Sequence, residues 1–461
     1  MKINVQTPAD NTPFLDPSFG QNGKIIHMFP GTTTSHVAGM AMNANGKIIV
    51  SATTYGNDDQ QFGLMRLNED GNVDTQFGGS GSSGYIRGNF LPGVRALGGG
   101  VSVLPDEKIL LSGFNYGEQG YQHVLARFND DGTPDTEFGK NGQIIIDLPL
   151  TEPLSRTQHN EHAPTAFSIA DSATVQSDGT ILLTVHAAVK GQDGYGIVMR
   201  FLANGVLDTS FNNSGSVKLK FDGYPVTLSR HALQADGKIL VFGGVQKEFE
   251  HGLLARLDID GQLDTSFGAG GFTTISYPKH LIHCNQVSIK PDGRLVAIGI
   301  AYTYAEDGLG TNDCMVMGFT TDGRPDTAFN EGKPVITQPR PKDCYWLGGA
   351  SSIDDTTTTI GNAHGRSGSG HKSEFLVGRY LANGRLDLRF ANGIGWRTIS
   401  VFGIEDAAKT YALLPDGKLL IAGNSWVSTS HQMSFVRLAN GRRGQIAIKI
   451  ARKLEQRSDD L

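Results

Sequence analysis

The chain has 461 residues, 60 of them glycine, and a formal net charge of −6. An acidic balance argues against the broad basic surface of a nucleic-acid binder, and no stretch approaches the ~18 consecutive apolar residues of a membrane span. Abundant glycine without long apolar runs points to many tight turns and an all-β protein.

The opening MKINVQTPAD has one lysine and no apolar core, so no secretory signal is expected. The expected location is the cytoplasm, or outside the cell after export without a cleavable signal. Cys284, Cys314 and Cys344 are odd in number and widely spaced, with no CxxC, so no disulfide framework is expected.

Two short motifs alternate along the chain. LDPSFGQNGKIIHMF (15–29) presents Asp16 and Phe19. NANGKIIV (43–50) is followed by MRLNEDGNVDTQFG, with Asp74 and Phe77. LPDEKILL (104–111) precedes ARFNDDGTPDTEFG, with Asp135 and Phe138. QSDGTILL (176–183) precedes MRFLANGVLDTSF, with Asp208 and Phe211. QADGKILV (234–241) precedes ARLDIDGQLDTSFG, with Asp264 and Phe267. KPDGRLVA (290–297) precedes MGFTTDGRPDTAF, with Asp326 and Phe329. SIDDTTTT (352–359) precedes GRYLANGRLDLRF, with Asp387 and Phe390. LPDGKLLI (414–421) leads to SFVRLANG, after which no LDxxF occurs. From Asp74 onward the aspartates are 61, 73, 56, 62 and 61 residues apart.

Each unit carries two Asp-Gly or Asn-Gly turns between short apolar runs. This is a strong hairpin signal, read here as tight turns with φ > 0 at both central residues. Four antiparallel strands per unit, labelled a to d, make a propeller blade. The first copy supplies only a strand d, and the last supplies only a, b and c. Residues 24–29 are therefore expected to pair with residues 433–438 and close a ring of seven blades, removing two free sheet edges. The expected propeller spans 1–441, with units divided near 30, 91, 149, 222, 277, 339 and 401. The remaining tail, 442–461, holds six basic residues and is read as an interaction segment or a frayed terminus.

The recurring [RL]-x-x-[DN]-G-x-x-D-x-x-F units resemble the delta-60 repeat, a bacterial β-propeller family, over roughly residues 15–441. The resemblance implies the fold and carries over no catalytic residues.

Asp258, Asp260 and Asp264 look like a calcium loop. Other copies place Leu202 and Leu381 at the position of Asp258, however, so the constraint is not a metal's. The later aspartate is expected to form an Asx turn, and its phenylalanine to anchor that turn. The strand c arginine (Arg66, Arg127, Arg200, Arg256, Arg379, Arg437; Gly318 in one unit) is read as structural, paired with a turn aspartate.

Function is expected on the face that gathers the long b–c and d–a loops. Tyr55, Tyr116, Tyr121, Tyr195, Tyr224, Tyr277, Tyr302, Tyr304 and Tyr345 lie in or beside these segments with Trp346 and Trp426. Such rings suit stacking on sugars or anchoring a protein. The segment 148–167 adds His159 and His162, with Glu152 and Glu161. KHLIHC contributes His280, His283 and Cys284. His283 and Cys284 are weak zinc candidates, because their spacing matches no zinc motif. Polar candidates at the channel mouth are His36, Asp171, Arg230, Asn285, Glu405, Asp406 and Lys409.

The combined expectation is an all-β, seven-bladed propeller that binds a carbohydrate or a protein without catalysis. It is expected to be monomeric, with no cofactor and no nucleic-acid partner. The alternative is an enzyme, a hydrolase or lyase, with a pocket at the channel mouth.

Overall fold

The computed structural model describes residues 14–439, apart from 80, 82, 118–119, 152–171, 188–194, 248–249, 304–309, 340–342, 368–369, 392 and 404. The 442–461 tail and the candidate residues Glu152, His159, Glu161, His162, Asp171 and Tyr304 lie outside these residues. No helix among the described residues is long and apolar enough to cross a membrane.

A short strand, β1 (Lys24–His27), comes first. β2 (Thr34–Met42), β3 (Ile48–Tyr55), β4 (Gln60–Leu67) and β5 (Tyr85–Gly88) form an antiparallel sheet in chain order. β6 (Arg95–Val103), β7 (Ile109–Gly117), β8 (Gly120–Phe128) and β9 (Gln143–Thr151) form the next. An eight-stranded sheet follows: β10 (Ser172–Val175), β11 (Ile181–Ala187), β12 (Tyr195–Phe201), β13 (Ser216–Phe221), β14 (Tyr224–Leu233), β15 (Ile239–Gln246), β16 (Glu250–Leu257) and β17 (Phe272–Ile275). Then come β18 (His280–Ile289), β19 (Leu295–Thr303), β20 (Thr311–Phe319) and β21 (Val335–Thr337). β22 (Cys344–Ser351), β23 (Thr357–Ser367), β24 (Gly370–Tyr380) and β25 (Trp396–Ile399) form another sheet. β26 (Asp406–Leu413), β27 (Leu419–Val427) and β28 (Ser430–Leu438) complete the order, and β1 joins them as the fourth strand.

The described strands thus make six sheets, five of four strands and one of eight. The sequence expects separate four-stranded units throughout. The larger sheet arises because β13 and β14 meet through a tight hairpin at Asp222–Gly223, with pairs Lys220↔Pro225 and Phe221↔Tyr224.

The chain ends meet as their complementary halves require. β1 runs antiparallel to β28 with Lys24↔Val436 and His27↔Met433, and Leu15 bridges Leu438. The first strands β2, β6, β10, β14, β18, β22 and β26 pack on one another in succession, and β26 returns to β2. The apolar core lies between neighbouring sheets. Phe242 and Leu254 pack on Ile282 and Met315, and Val296 and Val316 pack on Trp346.

The Asp-Gly turns differ from the two-residue form expected. In 68–72, Gly71 N–H donates to Asn68 O at 2.9 Å and Asn68 N–H to Asn72 O at 2.8 Å. Only Gly71 takes a positive φ, 89°, so each hairpin is a type I turn followed by one left-handed residue. The wider loop leaves the aspartate in ordinary backbone and asks left-handedness of one position alone.

The Asp-x-x-Phe motif is a lock between sheets. Asp74 Oδ1 accepts the Gln76 N–H at 3.2 Å, forming the Asx turn, while Oδ2 accepts Arg66 Nε at 2.9 Å. The Arg66 guanidinium lies 5.0 Å over the Phe77 ring, and its Nη1 donates to Asp130 O in the next sheet's turn at 2.6 Å. The same set recurs at Arg127–Asp135–Phe138, Arg200–Asp208–Phe211 and Arg256–Asp264–Phe267. Gly318 has no side chain to offer, and there Arg294 reaches Asp326 at 3.4 Å while Lys290 stands 6.0 Å from the Phe329 ring centre. Asp264 is thereby held by Ser266, Arg256 and Lys238.

Candidate active site at the central strands

Six first strands slip register at one depth: between Val37 and Gly39, Gly98 and Val101, Leu228 and Arg230, Cys284 and Gln286, Trp346 and Gly348, and Ala408 and Thr410. Bulges re-aim side chains and cluster near functional sites. The bulged residues differ in chemistry from strand to strand, and Ser229, Asn285 and Lys409 are the polar ones.

One polar group gathers where β26–β28 meet β2. The His36 ring lies 5.6 Å from Tyr55 and 5.0 Å from His431, centre to centre. Trp426 meets His431 edge-on at 4.7 Å. Tyr116 and Tyr121 stack at 4.7 Å beside this group. Each ring sits at a strand end on the side of the long connections: the start of β2, β8 and β28, and the end of β3, β7 and β27. Among the described residues, His36 Nε2 and His431 Nδ1 are buried with no hydrogen-bond partner.

Burial, then the positive charges of His431 and Lys409, bring the His36 pKa down to about 4, so its imidazole is neutral near pH 7. Burial raises the Tyr55 and Tyr121 phenols and keeps them protonated. Lys409 is reached by solvent yet enclosed by the surrounding strands, and this desolvation lowers its pKa. Glu405 is exposed and raises the His431 pKa, against a net lowering by burial.

Deeper in, the single hydroxyl proton of Tyr411 on β26 faces two acceptors, Gly349 O at 2.7 Å and Gln286 Oε1 at 2.5 Å. Arg230 lies close enough to interact with this phenol electrostatically.

The other sequence-chosen residues fall as follows. Trp346 is fully buried, its indole N–H donating to Tyr380 Oη at 3.1 Å. Tyr345 is buried and accepts from Asn362 Nδ2 at 3.2 Å. Tyr195 is half-buried under Lys218, whose Nζ stands 3.1 Å above the ring centre. Asp406 is buried and accepts the Val401 N–H at 2.7 Å, so it shapes the turn before β26. Asn285 donates to Trp346 O at 2.7 Å. Cys284 is buried, its thiol pushed up to about 12 by desolvation. His283 contacts Ser229 and Glu250, each at 2.7 Å. Among the described residues, no three His, Cys, Asp or Glu side chains are grouped to hold a metal ion.

The structure therefore brings His36, Lys409, Trp426, Tyr55, Tyr116 and Tyr121 together, and keeps Tyr345, Trp346 and Asp406 in the interior. Sequence reasoning missed His431. Its signal is positional: it stands six residues before the strand c arginine, where other units carry Gln60, Tyr121, Glu250, Asn312 and Ser373.

Residues 44–77, 104–138, 176–211, 234–267 and 414–440 match a family described as a domain of unknown function (DUF5122) beta-propeller. These five stretches are thus similar to repeats of a β-propeller family, the coarser part of the resemblance expected from the sequence. No curated protein matches. A solved ulvan lyase of a new polysaccharide lyase family (PL25), bound to -[GlcA(1-4)Rha3S]-, is similar at 10% identity, over 92% of this chain and 99% of that one, with a TM-score of 0.50. The polysaccharide lyase Uly1 is similar at 12% identity, over 94% of each chain, with a TM-score of 0.49. At these identities the likeness is one of fold. The expectation of a non-catalytic binding propeller is corrected here: the ulvan lyase that shares the fold is an enzyme, and Tyr345 and Trp346, two of the rings offered for stacking, are interior.

Proposed function

We propose that the chain is a seven-bladed propeller enzyme that cleaves an acidic polysaccharide by β-elimination at the mouth of its central channel. Seven blades follow if the eight-stranded sheet divides at the β13–β14 hairpin, which supplies only two residue pairs. The unbroken circuit of seven first strands supports that division.

The observation that carries the chemistry is the His36 imidazole set between Tyr55 and His431, with Lys409 at hand. Elimination from a uronate needs three groups: a cation against the carboxylate, a base for the C5 proton and an acid for the leaving oxygen. Lys409 supplies the charge. Neutral His36 takes the C5 proton as the C4=C5 double bond forms. The C4–O bond breaks, and the phenol of Tyr55 gives its proton to the departing oxygen. Tyr116, Tyr121 and Trp426 offer ring faces to neighbouring sugars. The uronate-containing ligand of the ulvan lyase that shares the fold agrees with this substrate class.

The test is a panel of uronate polymers, read by the ultraviolet absorbance of the unsaturated product. His36→Ala and Tyr55→Phe should each lower kcat/KM at least ~100-fold. Absence of unsaturated product from every polymer, or full activity in His36→Ala, would sink the reading.

A further inference from the structure

A second polar constellation lies at the junction of β14, β16 and β18, away from the group around His36. The Oγ of Ser229 and Nε2 of His283 are 2.7 Å apart, and Nδ1 of the same ring lies 2.7 Å from Oε1 of Glu250. Hydroxyl, imidazole and carboxylate thus stand in one line of hydrogen bonds, each within the reach that nucleophilic catalysis requires. Three strands contribute one residue each. Ser229 is the extra residue of the β14 bulge, which turns it toward the next first strand. It is partly exposed, whereas His283 is buried and therefore held in place.

The repeat gives an internal control. At the corresponding positions of two other junctions stand Ala38, Leu97 and Gln60, and Leu347, Ala407 and Ser373. The fold closes at those junctions without any such relay, so packing does not require one. Gly244 keeps the space beside the His–carboxylate bond open. A Cβ there would come within 2.4 Å of Glu250 Oε1 and 2.9 Å of His283 Nδ1.

We propose that Ser229, His283 and Glu250 form a nucleophilic triad that hydrolyses short-chain carboxylic esters, such as O-acetyl groups on a sugar. Ser229 Oγ attacks the acyl carbon while His283 Nε2 takes its proton. The tetrahedral adduct collapses, the C–O bond to the alcohol breaks, and the alcohol leaves with the proton from Nε2. Water then adds to the acyl-serine, giving its proton to His283, and releases the carboxylic acid with Ser229 restored. Glu250 stabilises the imidazolium and fixes the ring. Arg230, next in the chain and near Tyr411 in the same channel, brings positive charge for the oxyanion.

The test uses the full chain with a fluorophosphonate probe and p-nitrophenyl acetate, neither of which involves polysaccharide cleavage. Wild type should be labelled, and mass spectrometry of its peptides should place the adduct on Ser229. Ser229→Ala should lose labelling and lower ester turnover roughly 1,000-fold, and His283→Ala should do nearly the same. Exposed Ser266→Ala should be labelled as wild type. No labelling of wild type under conditions that label a known serine hydrolase, or an adduct on another serine, would overturn the assignment even if Ser229→Ala fails to fold.

Discussion

The guanidinium of Arg437 donates from Nε to the carboxylate of Asp16 at 2.8 Å, joining residues 421 positions apart. The bond lies within the sheet that both ends of the ring build together. Arg437 stands 4.8 Å over the Phe19 ring, and its Nη1 donates to Glu69 O in the neighbouring turn. The lock that elsewhere ties adjacent parts of one unit here ties the beginning of the propeller to its end.

Arg437→Ala should destabilise the fold by about 1.5–3 kcal/mol: Asp16 keeps Lys418 at 3.0 Å and Ser18, but loses its charged hydrogen bond to the buried guanidinium, and Phe19 loses the cation above its ring. Urea unfolding should show the lower midpoint. Arg379→Ala should cost less, since that side chain is more exposed.

Stability should fall in acid. Burial opposes ionisation of Asp16, but bonds from Lys418 and Ser18 and the charge of Arg437 outweigh it and hold the pKa at about 2. A carboxyl whose folded pKa lies below its unfolded value stabilises the fold above the unfolded pKa and loses that contribution as pH falls through the folded one. Asp74, Asp135 and Asp208 shift in the same direction. Thermal melts should stay level down to about pH 4, then drop toward pH 2. A flat profile across that window would contradict the lock.

Glu107 occupies the left-handed turn position that glycine fills in most copies, with φ 66°. Glu107→Gly should therefore stabilise by up to about 1 kcal/mol, less the weak contact of its side chain with the Ala44 N–H. Differential scanning calorimetry would register the higher Tm.

Polysaccharide cleavage should have a broad pH profile. His36 must be neutral, so activity should fall only as pH drops through about 4. On the alkaline side Lys409 must keep its charge and Tyr55 its proton; burial lowers the Lys409 pKa below 10.5 and raises that of Tyr55, so loss of the Lys409 charge sets the alkaline limb. An acidic limb near 6.5 would remove His36 from the role of base.

Trp346→Ala should act as a core truncation, lowering stability by about 3–5 kcal/mol. Chemical denaturation would measure that loss.

The repeat made the strands, the places of the turns and the meeting of residues 24–27 with 433–436 legible, because period and turn-forming residues are local properties of a sequence; the turn type was not, since one glycine serves both the two-residue and the wider form. Three things were not local. Trp346 and Tyr345 looked like loop aromatics because they stand near a strand start, but β22 turns them between sheets. Asp406 looked like a channel charge, yet backbone N–H groups at Val401 and Gly403 claim it. Ser229 gave no signal in the sequence, because a bulge changes which way a residue faces without changing the apolar pattern around it. His36 and Lys409 were legible as polar interruptions of a first strand. Their partner His431 becomes visible only once β28 lies beside β2.

Tyr411 braces the inner wall. Its hydroxyl lies 2.5 Å from Gln286 Oε1 of β18 and 2.7 Å from Gly349 O of β22, and a Cβ on Gly348 would fall 1.8 Å from that same Gln286 oxygen. One phenol on β26 thus ties three neighbouring sheets across their seams, so a displacement in any of them reaches the other two through side chains and not only through the backbone.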